Sequence, residues 1–544
     1  MTTNDGWRTA SPPDIARSVD ACLAELDSTH FAKRIHDRDA TLWPGDADET
    51  EQRLGWLDVC HTMPPQQDSL VSFTDRLRHE GFDDVVLLGM GGSSLGAEVL
   101  NQVVGSAPGH PRLHVLDSTV PSAIGAVSHR IEFAHTLFVV SSKSGGTLEP
   151  NLLCDYFYNE ASAHTGHDAG SQFVAITDPG SSLERKARER AFRHTFLNPS
   201  DIGGRYSVLS LFGLVPAAVL GIDVSRLLAA AEKMAGLCTP NMPSRANPGA
   251  QLGAYIAGCA RLGRNKLTLL ASPTLQSFGL WAEQLIAEST GKEGKGVVPI
   301  VGEPELEMGA YSSDRAFVYL RLEGDENDQT DGLSRALTRS GFPCFTVASA
   351  DVYSLGGEFY RWEYATAVVG ALLSIDPFDQ PDVQRAKDAS ARMLEHFVAH
   401  GSLPPVDATK AVSTLLHSIG KGDYLGIMAY LAQRPETDAV FSSFRRRIGT
   451  QYSVGTTLGY GPRFLHSTGQ LHKGGPDGCV LIQIVSAHPD DVPVPSTDYS
   501  FGTVADAQAL GDLQALLSLN RRVGRIALGA DDAALLAQAL AEPA

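Results

Sequence analysis

The chain predicts an α/β fold: doubly wound, mostly parallel sheets, preceded by a helical segment and followed by a smaller α/β unit. Three observations carry this expectation. From about residue 70 to about 220, short unbroken apolar runs alternate with helix-like segments, the pattern of parallel strands covered on both faces. Two of those runs, Val85-Val86-Leu87-Leu88 and Leu137-Phe138-Val139-Val140, pass straight into glycine- and hydroxyl-rich turns that open helices. The same alternation resumes from about 245 to about 400.

Taken in order, residues 1–65 read as a polar, helical lead with Trp43 and Trp56 as anchors onto the body. A first unit, 66–240, holds strand candidates at 85–88, 113–116, 137–140 and 173–176. The first strand leads into Gly89-Met90-Gly91-Gly92-Ser93-Ser94 and a helix beginning near Leu95. The third leads into Ser141-Ser142-Lys143-Ser144-Gly145-Gly146-Thr147 and a helix over 148–159. The apolar stretch 208–224 is interrupted by Ser210, Gly213, Pro216 and Gly221, so it reads as a buried core helix and not a membrane span. A second unit, 241–405, has strand candidates at 267–271, 296–301, 317–322 and 345–348, and ends at the linker-like Gly401-Ser402-Leu403-Pro404-Pro405. The last unit, 406–544, has candidates at 424–430, 479–485 and 523–528.

Composition narrows the function. A formal charge of −19 argues against nucleic acid and against a basic membrane-facing surface. The one basic run, Arg445-Arg446-Arg447, reads as a solvated helix face. Seven scattered cysteines without a CxxC pair predict packed core thiols, with no disulfide framework and no zinc ribbon. The polar start of the chain has no secretion-signal pattern, and the cytoplasm is the expected compartment.

The two turns suit an anion. Each offers backbone N–H groups, hydroxyls and the positive end of a helix dipole; the second adds the ammonium of Lys143. A lone turn of this kind is often a plain strand–helix connection, but two of them favour one shared ligand, best a phosphate monoester. Gly89–Ser94 is not a dinucleotide fingerprint, because serines replace the GxGxxG spacing and no acidic partner stands out about 20 residues on. Ser142 lacks a GxSxG elbow and is not expected to be a hydrolase nucleophile. His466 and His472 are not spaced as helical metal ligands, and no metal site is expected.

Five motifs in series resemble the phosphoglucose isomerase family, whose fold is a pair of sugar isomerase (SIS) sandwich domains. They are GMGGSSLG (89–96), SKSGGT (142–147), GGRYSVLSLFG (203–213), ESTGK (288–292) and FDQPDVQRAK (378–387). A later stretch, GPRFLHSTGQLHKGGP (461–476), is similar to the isomerase part of transaldolase–isomerase fusions, and a stand-alone version is expected. The resemblance implies an enzyme that interconverts glucose 6-phosphate and fructose 6-phosphate through a cis-enediol, a step of glycolysis and gluconeogenesis. It implies no cofactor, a phosphosugar substrate and a homodimer.

Residue by residue, the resemblance makes Glu288 the base and Arg205 the cation that stabilises the enediolate. Lys387 matches a lysine of ring opening. Gly92, Ser93, Ser142, Lys143, Ser144, Thr147 and Gln284 match positions around the sugar phosphate. Read from chemistry alone, Glu288 is more simply a helix-end cap or salt-bridge partner of Lys292, four residues on. One departure stands out. The family opens the sugar ring with a histidine between the ESTGK-like and FDQ-like motifs, often supplied by the neighbouring subunit. This chain has none there; Arg315 or Leu337 stands where one is expected. His466 and His472 are the candidates to replace it. The rival readings are an isomerase of another phosphosugar, including mannose 6-phosphate, and a non-catalytic sugar-phosphate sensor.

Overall fold

The computed structural model describes residues 11–166, 169–405 and 409–541. Three parallel sheets organise them. The first comprises β1 (Asp84–Gly89), β2 (Arg112–Leu116), β3 (Thr136–Ser141), β4 (Phe173–Thr177) and β5 (His194–Leu197), in the order β2-β1-β3-β4-β5. The second holds β6 (Lys266–Ala271), β7 (Val298–Ile300), β8 (Arg315–Leu322) and β9 (Cys344–Ser349), ordered β7-β6-β8-β9. The third holds β10 (Tyr424–Tyr430), β11 (Gly455–Tyr460), β12 (Cys479–Ser486) and β13 (Arg522–Leu528), ordered β11-β10-β12-β13. All pair in parallel. In each sheet the chain steps to one side of its first strand and then crosses to the other. That reversal opens a crevice at the carboxyl ends of the strands.

Two strands escaped the sequence reading, and both are sheet edges. In β5, His194-Thr195-Phe196-Leu197, only Phe196 is buried. β11 is glycine-rich and only half buried. The 208–224 stretch is not one helix. A helix over Leu211–Val219 ends, and the Asp223 carboxylate accepts the Arg226 N–H (3.1 Å) to start another at Val224–Ala235. The helix after β3 runs on to Thr165.

The N-terminal segment belongs to the body. Trp43 Nε1 donates to the Ala367 carbonyl at 2.9 Å, and Trp56 stacks on Tyr206 with ring centroids 5.4 Å apart. One apolar core joins this segment to the first two sheets, through residues such as Trp56, Leu87, Leu285 and Phe359. A second core joins Ala287 and Ile300 to Met428 and Leu481 of the third sheet. These shared cores make the sheets one packed body, each buried Leu, Ile, Phe or Met contributing about 1.5–3 kcal/mol.

Buried arginines lie where the second and third sheets meet. Arg315, fully buried, donates to both oxygens of Glu303 at 2.8 Å. Arg445 is buried too, and donates to the carbonyls of Val301 (2.9 Å), Gly302 (2.8 Å) and Thr456 (2.7 Å). The expected solvated face therefore holds only for Arg446 and Arg447. All seven cysteines are free and buried. Among the described residues no helix is long and apolar enough to cross a membrane.

Candidate active site

Register creates the site. Gly89, the last residue of β1, pairs with Ser141, the last of β3, so both glycine- and serine-rich turns leave the same edge side by side. Gly91 lies in the left-handed region at φ +55°. A Cβ on Gly92 would meet the Gly204 carbonyl oxygen at 1.9 Å, so this turn lies directly against the one that carries Arg205. Between them is a cleft of about 430 Å³ lined by Gly92, Ser93, Lys143, Ser144, Thr147, Arg205, Gln284, Glu288, Lys387 and His466. A larger cleft of about 620 Å³ at the opposite, amino-terminal ends of β1–β3 contains none of the predicted residues.

Glu288 comes from the helix Phe278–Thr290, buried almost all round and packed against the helices Leu95–Val103 and Gly469–Gly474. The residue is 1 % exposed, and its Oε1 accepts the Gln470 N–H at 2.9 Å. Burial pushes its pKa up; the charge of Arg205 and the Gln470 hydrogen bond oppose this without cancelling it. Lys292, the alternative partner, turns away and donates to the Asp379 carboxylate at 2.5 Å. Its own pKa falls to about 8, first through burial and then through the charge of Arg205.

Arg205 sits on a single turn, Gly204–Tyr206, held from behind by Tyr206 against Trp56 and Phe378. Its guanidinium donates to the Gln380 side chain (3.0 Å) and to the carbonyls of Pro377 (2.9 Å) and Asp379 (3.1 Å), while Nε has no partner. Lys387 stands exposed on the helix Pro381–His400 and faces the cleft. Gln284 donates to the His466 carbonyl at 2.6 Å, leaving its buried Oε1 without a partner.

Three predicted residues sit otherwise than expected. Ser142 is buried and does not line the cleft; its hydroxyl points to Thr147 Oγ1 at 3.5 Å, inside the loop. The Lys143 ammonium is held by the Asp178 carboxylate and the Ser200 carbonyl, so it braces the loop more than it reaches for a ligand. His472 is a core histidine beside the Phe464 ring, with Nδ1 unpartnered. Burial, with Lys473 and Arg521 adding to it, drives its pKa down to about 3. It is not a member of the cleft. Arg315 and Leu337 are likewise buried elsewhere.

His466 does reach the cleft, from the turn after β11. Its Nε2 lies 2.9 Å from Glu149 Oε1. Sequence reasoning missed Glu149, since an acid in the first turn of a helix reads as a dipole partner. Burial would raise the pKa of this carboxyl, but the charge and hydrogen bond of His466 outweigh it and the net shift is down. Gln470 was also missed. Its backbone holds Glu288, while its side chain accepts the Asp382 N–H (2.9 Å) and donates to the Asp382 carboxylate (2.7 Å) at the start of the Lys387 helix.

Residues 75–298 match the family model for phosphoglucose isomerase. A glucose-6-phosphate isomerase of Rubrobacter xylanophilus is 32 % identical over 391 residues, covering 62 % of this chain and 88 % of that one. The chain belongs to the phosphoglucose isomerase family. A glucose-6-phosphate isomerase of Parasynechococcus marenigrum is 29 % identical, with 64 % of this chain and 70 % of that protein covered. Solved structures agree on the fold. A hypothetical protein from Thermus thermophilus superposes with a TM-score of 0.58 at 24 % identity, covering 70 % of this chain and 98 % of that one. A glucose-6-phosphate isomerase from Chlamydia trachomatis gives 0.54 at 21 % identity, covering 68 % of this chain and 78 % of that one. In this chain the cleft histidine, His466, comes from the turn after β11 of the third sheet.

Proposed function

We propose that the chain interconverts glucose 6-phosphate and fructose 6-phosphate by proton transfer through a cis-enediol. The observation that carries the reading is a buried carboxylate, Glu288, sharing one cleft with Arg205, Lys387, His466 and two anion-suited turns. The phosphate rests on Ser144, Thr147 and the 89–94 turn, with Gln284 beside it, and this remote anchor orients the reacting carbons. Cyclic substrate must first open: the ring oxygen gains a proton as the O1 hydroxyl loses one. His466, backed by Glu149, and Lys387 carry these two transfers. Glu288 then takes the C2 proton and returns it to C1. A base needs a pKa nearer the working pH than a free carboxylate has, and burial moves Glu288 that way. Arg205 stabilises the negative charge that develops on the enediolate oxygen. These side chains suffice for the chemistry without a cofactor.

The compartment that fits this reading is the cytoplasm, and the assembly is a homodimer in which each chain carries its own site. A coupled assay tests the core of it: purified protein supplied with fructose 6-phosphate should release glucose 6-phosphate. No turnover with this substrate would overturn the assignment.

A further inference from the structure

Behind His466 and Glu149 a buried hydrogen-bond chain continues to two residues, Gln508 and Thr119, that the reaction as written does not use. Glu149 Oε1 receives two neighbours: His466 Nε2 at 2.9 Å and the Gln508 side-chain amide, Nε2, at 2.7 Å. Gln508 projects from the helix Phe501–Ser518 and is itself buried. Its carbonyl oxygen accepts the hydroxyl of Thr119, which is fully buried, at 2.7 Å. The amide orientation follows from its neighbours. An ionised carboxylate only accepts, so the NH₂ group must face Glu149 and the carbonyl must face the hydroxyl. For the same reason Nε2 of His466 carries its proton toward Glu149. Nδ1 keeps its lone pair, the form in which the imidazole can accept a proton from substrate.

We propose that Gln508 is a positioning residue for ring opening, fixing the Glu149 carboxylate and, through it, the tautomer and basicity of His466. This rests on the reading of His466 as the ring-opening base. Gln508 suits the role because it satisfies a buried carboxylate without offering it a titratable proton. Its hydrogen bond draws charge from Glu149 and so tempers how strongly the pair holds a proton. Other charges face the same pair. Lys387 acts on Glu149 from the helix Pro381–His400, and Glu288 feels His466 from the helix Phe278–Thr290. Tyr430 of β10 lies within reach of the Glu149 charge. On the histidine's own turn, Arg463 is paired with Asp117 at 2.7 Å.

Gln508→Leu removes the donor at nearly constant volume. Losing a hydrogen bond to a charged group should lower kcat on cyclic glucose 6-phosphate at least about tenfold. KM and 6-phosphogluconate affinity should stay within about twofold, because Gln508 touches neither phosphate loop nor base. Without the donor the pair binds its proton more tightly, so the acidic limb of the kcat profile should move to higher pH by about half a unit or more. In a His466→Asn background Gln508→Leu should have no further effect. An equal loss in both backgrounds, or an unmoved limb, overturns the proposal. Should Gln508→Leu fail to fold, Thr119→Val, which removes only the hydroxyl that orients the amide, must give a smaller shift in the same direction; no shift overturns it equally. If His466→Asn alone turns over like the parent, it is the ring-opening reading of His466 that fails.

Discussion

At the scale of single residues, what decides a role here is who else holds the side chain. Glu288 has one backbone donor and otherwise faces the cleft and Arg205. Glu288→Gln keeps the shape and removes the base, so turnover should fall by about 10²–10⁴-fold with sugar-phosphate affinity retained. Paired kinetics and titration calorimetry would show it, and near-normal turnover would take Glu288 out of the role. His472 makes the contrasting case. Its folded pKa of about 3 lies below the ordinary 6.5, so the unfolded chain binds the extra proton first. Stability linked to this residue is complete above pH 6.5 and drains away as pH falls toward about 3. Between pH 7 and pH 5, urea midpoints should therefore drop more for the parent than for His472→Leu; parallel drops would refute the linkage. The sequence could not separate His466 from His472, because both sit in one glycine- and serine-rich stretch. The difference lies in burial, which depends on Phe464 and the third sheet.

At the scale of elements, the apolar strand runs were legible because a doubly covered parallel strand has no polar face to confuse the pattern. Edge strands β5 and β11 were not, since they bury less and need fewer apolar residues. The loop 142–147 was legible as a turn between strand and helix, but not the division of labour within it. Lys143 and Ser142 brace it, while Ser144 and Thr147 line the cleft. Ser144→Ala with Thr147→Ala should weaken fructose 6-phosphate and 6-phosphogluconate alike, by roughly 1.5–3 kcal/mol for each charge-assisted hydrogen bond lost. Calorimetry with both ligands is the check, and undiminished affinity would move the phosphate elsewhere. Arg445 shows the converse blindness: a basic triplet reads as surface, and nothing local reveals the carbonyls of Val301 and Gly302 waiting in another sheet.

At the scale of the whole molecule, the third sheet supplies what the first two lack. Glu288, Arg205, Lys387 and His466 all come from one chain and meet in one cleft. Specific activity should accordingly hold constant on dilution through any dimer-to-monomer transition followed by light scattering. Activity that falls in step with dissociation would mean that a second copy completes the site. The motifs announced two sugar isomerase units, yet the repeat of one strand order in all three sheets was invisible, because topology depends on which strands pair and not on their composition. Gln470 shows where this arrangement leads. One end of that residue holds Glu288, the carboxylate proposed to move the carbon-bound proton; the other holds the first turn of the helix bearing Lys387, proposed for ring opening. The two chemical steps are thus geared together. A change that shifts Gln470 would move both together, so adaptation to a new sugar would have to travel through the loops that line the cleft from the first sheet.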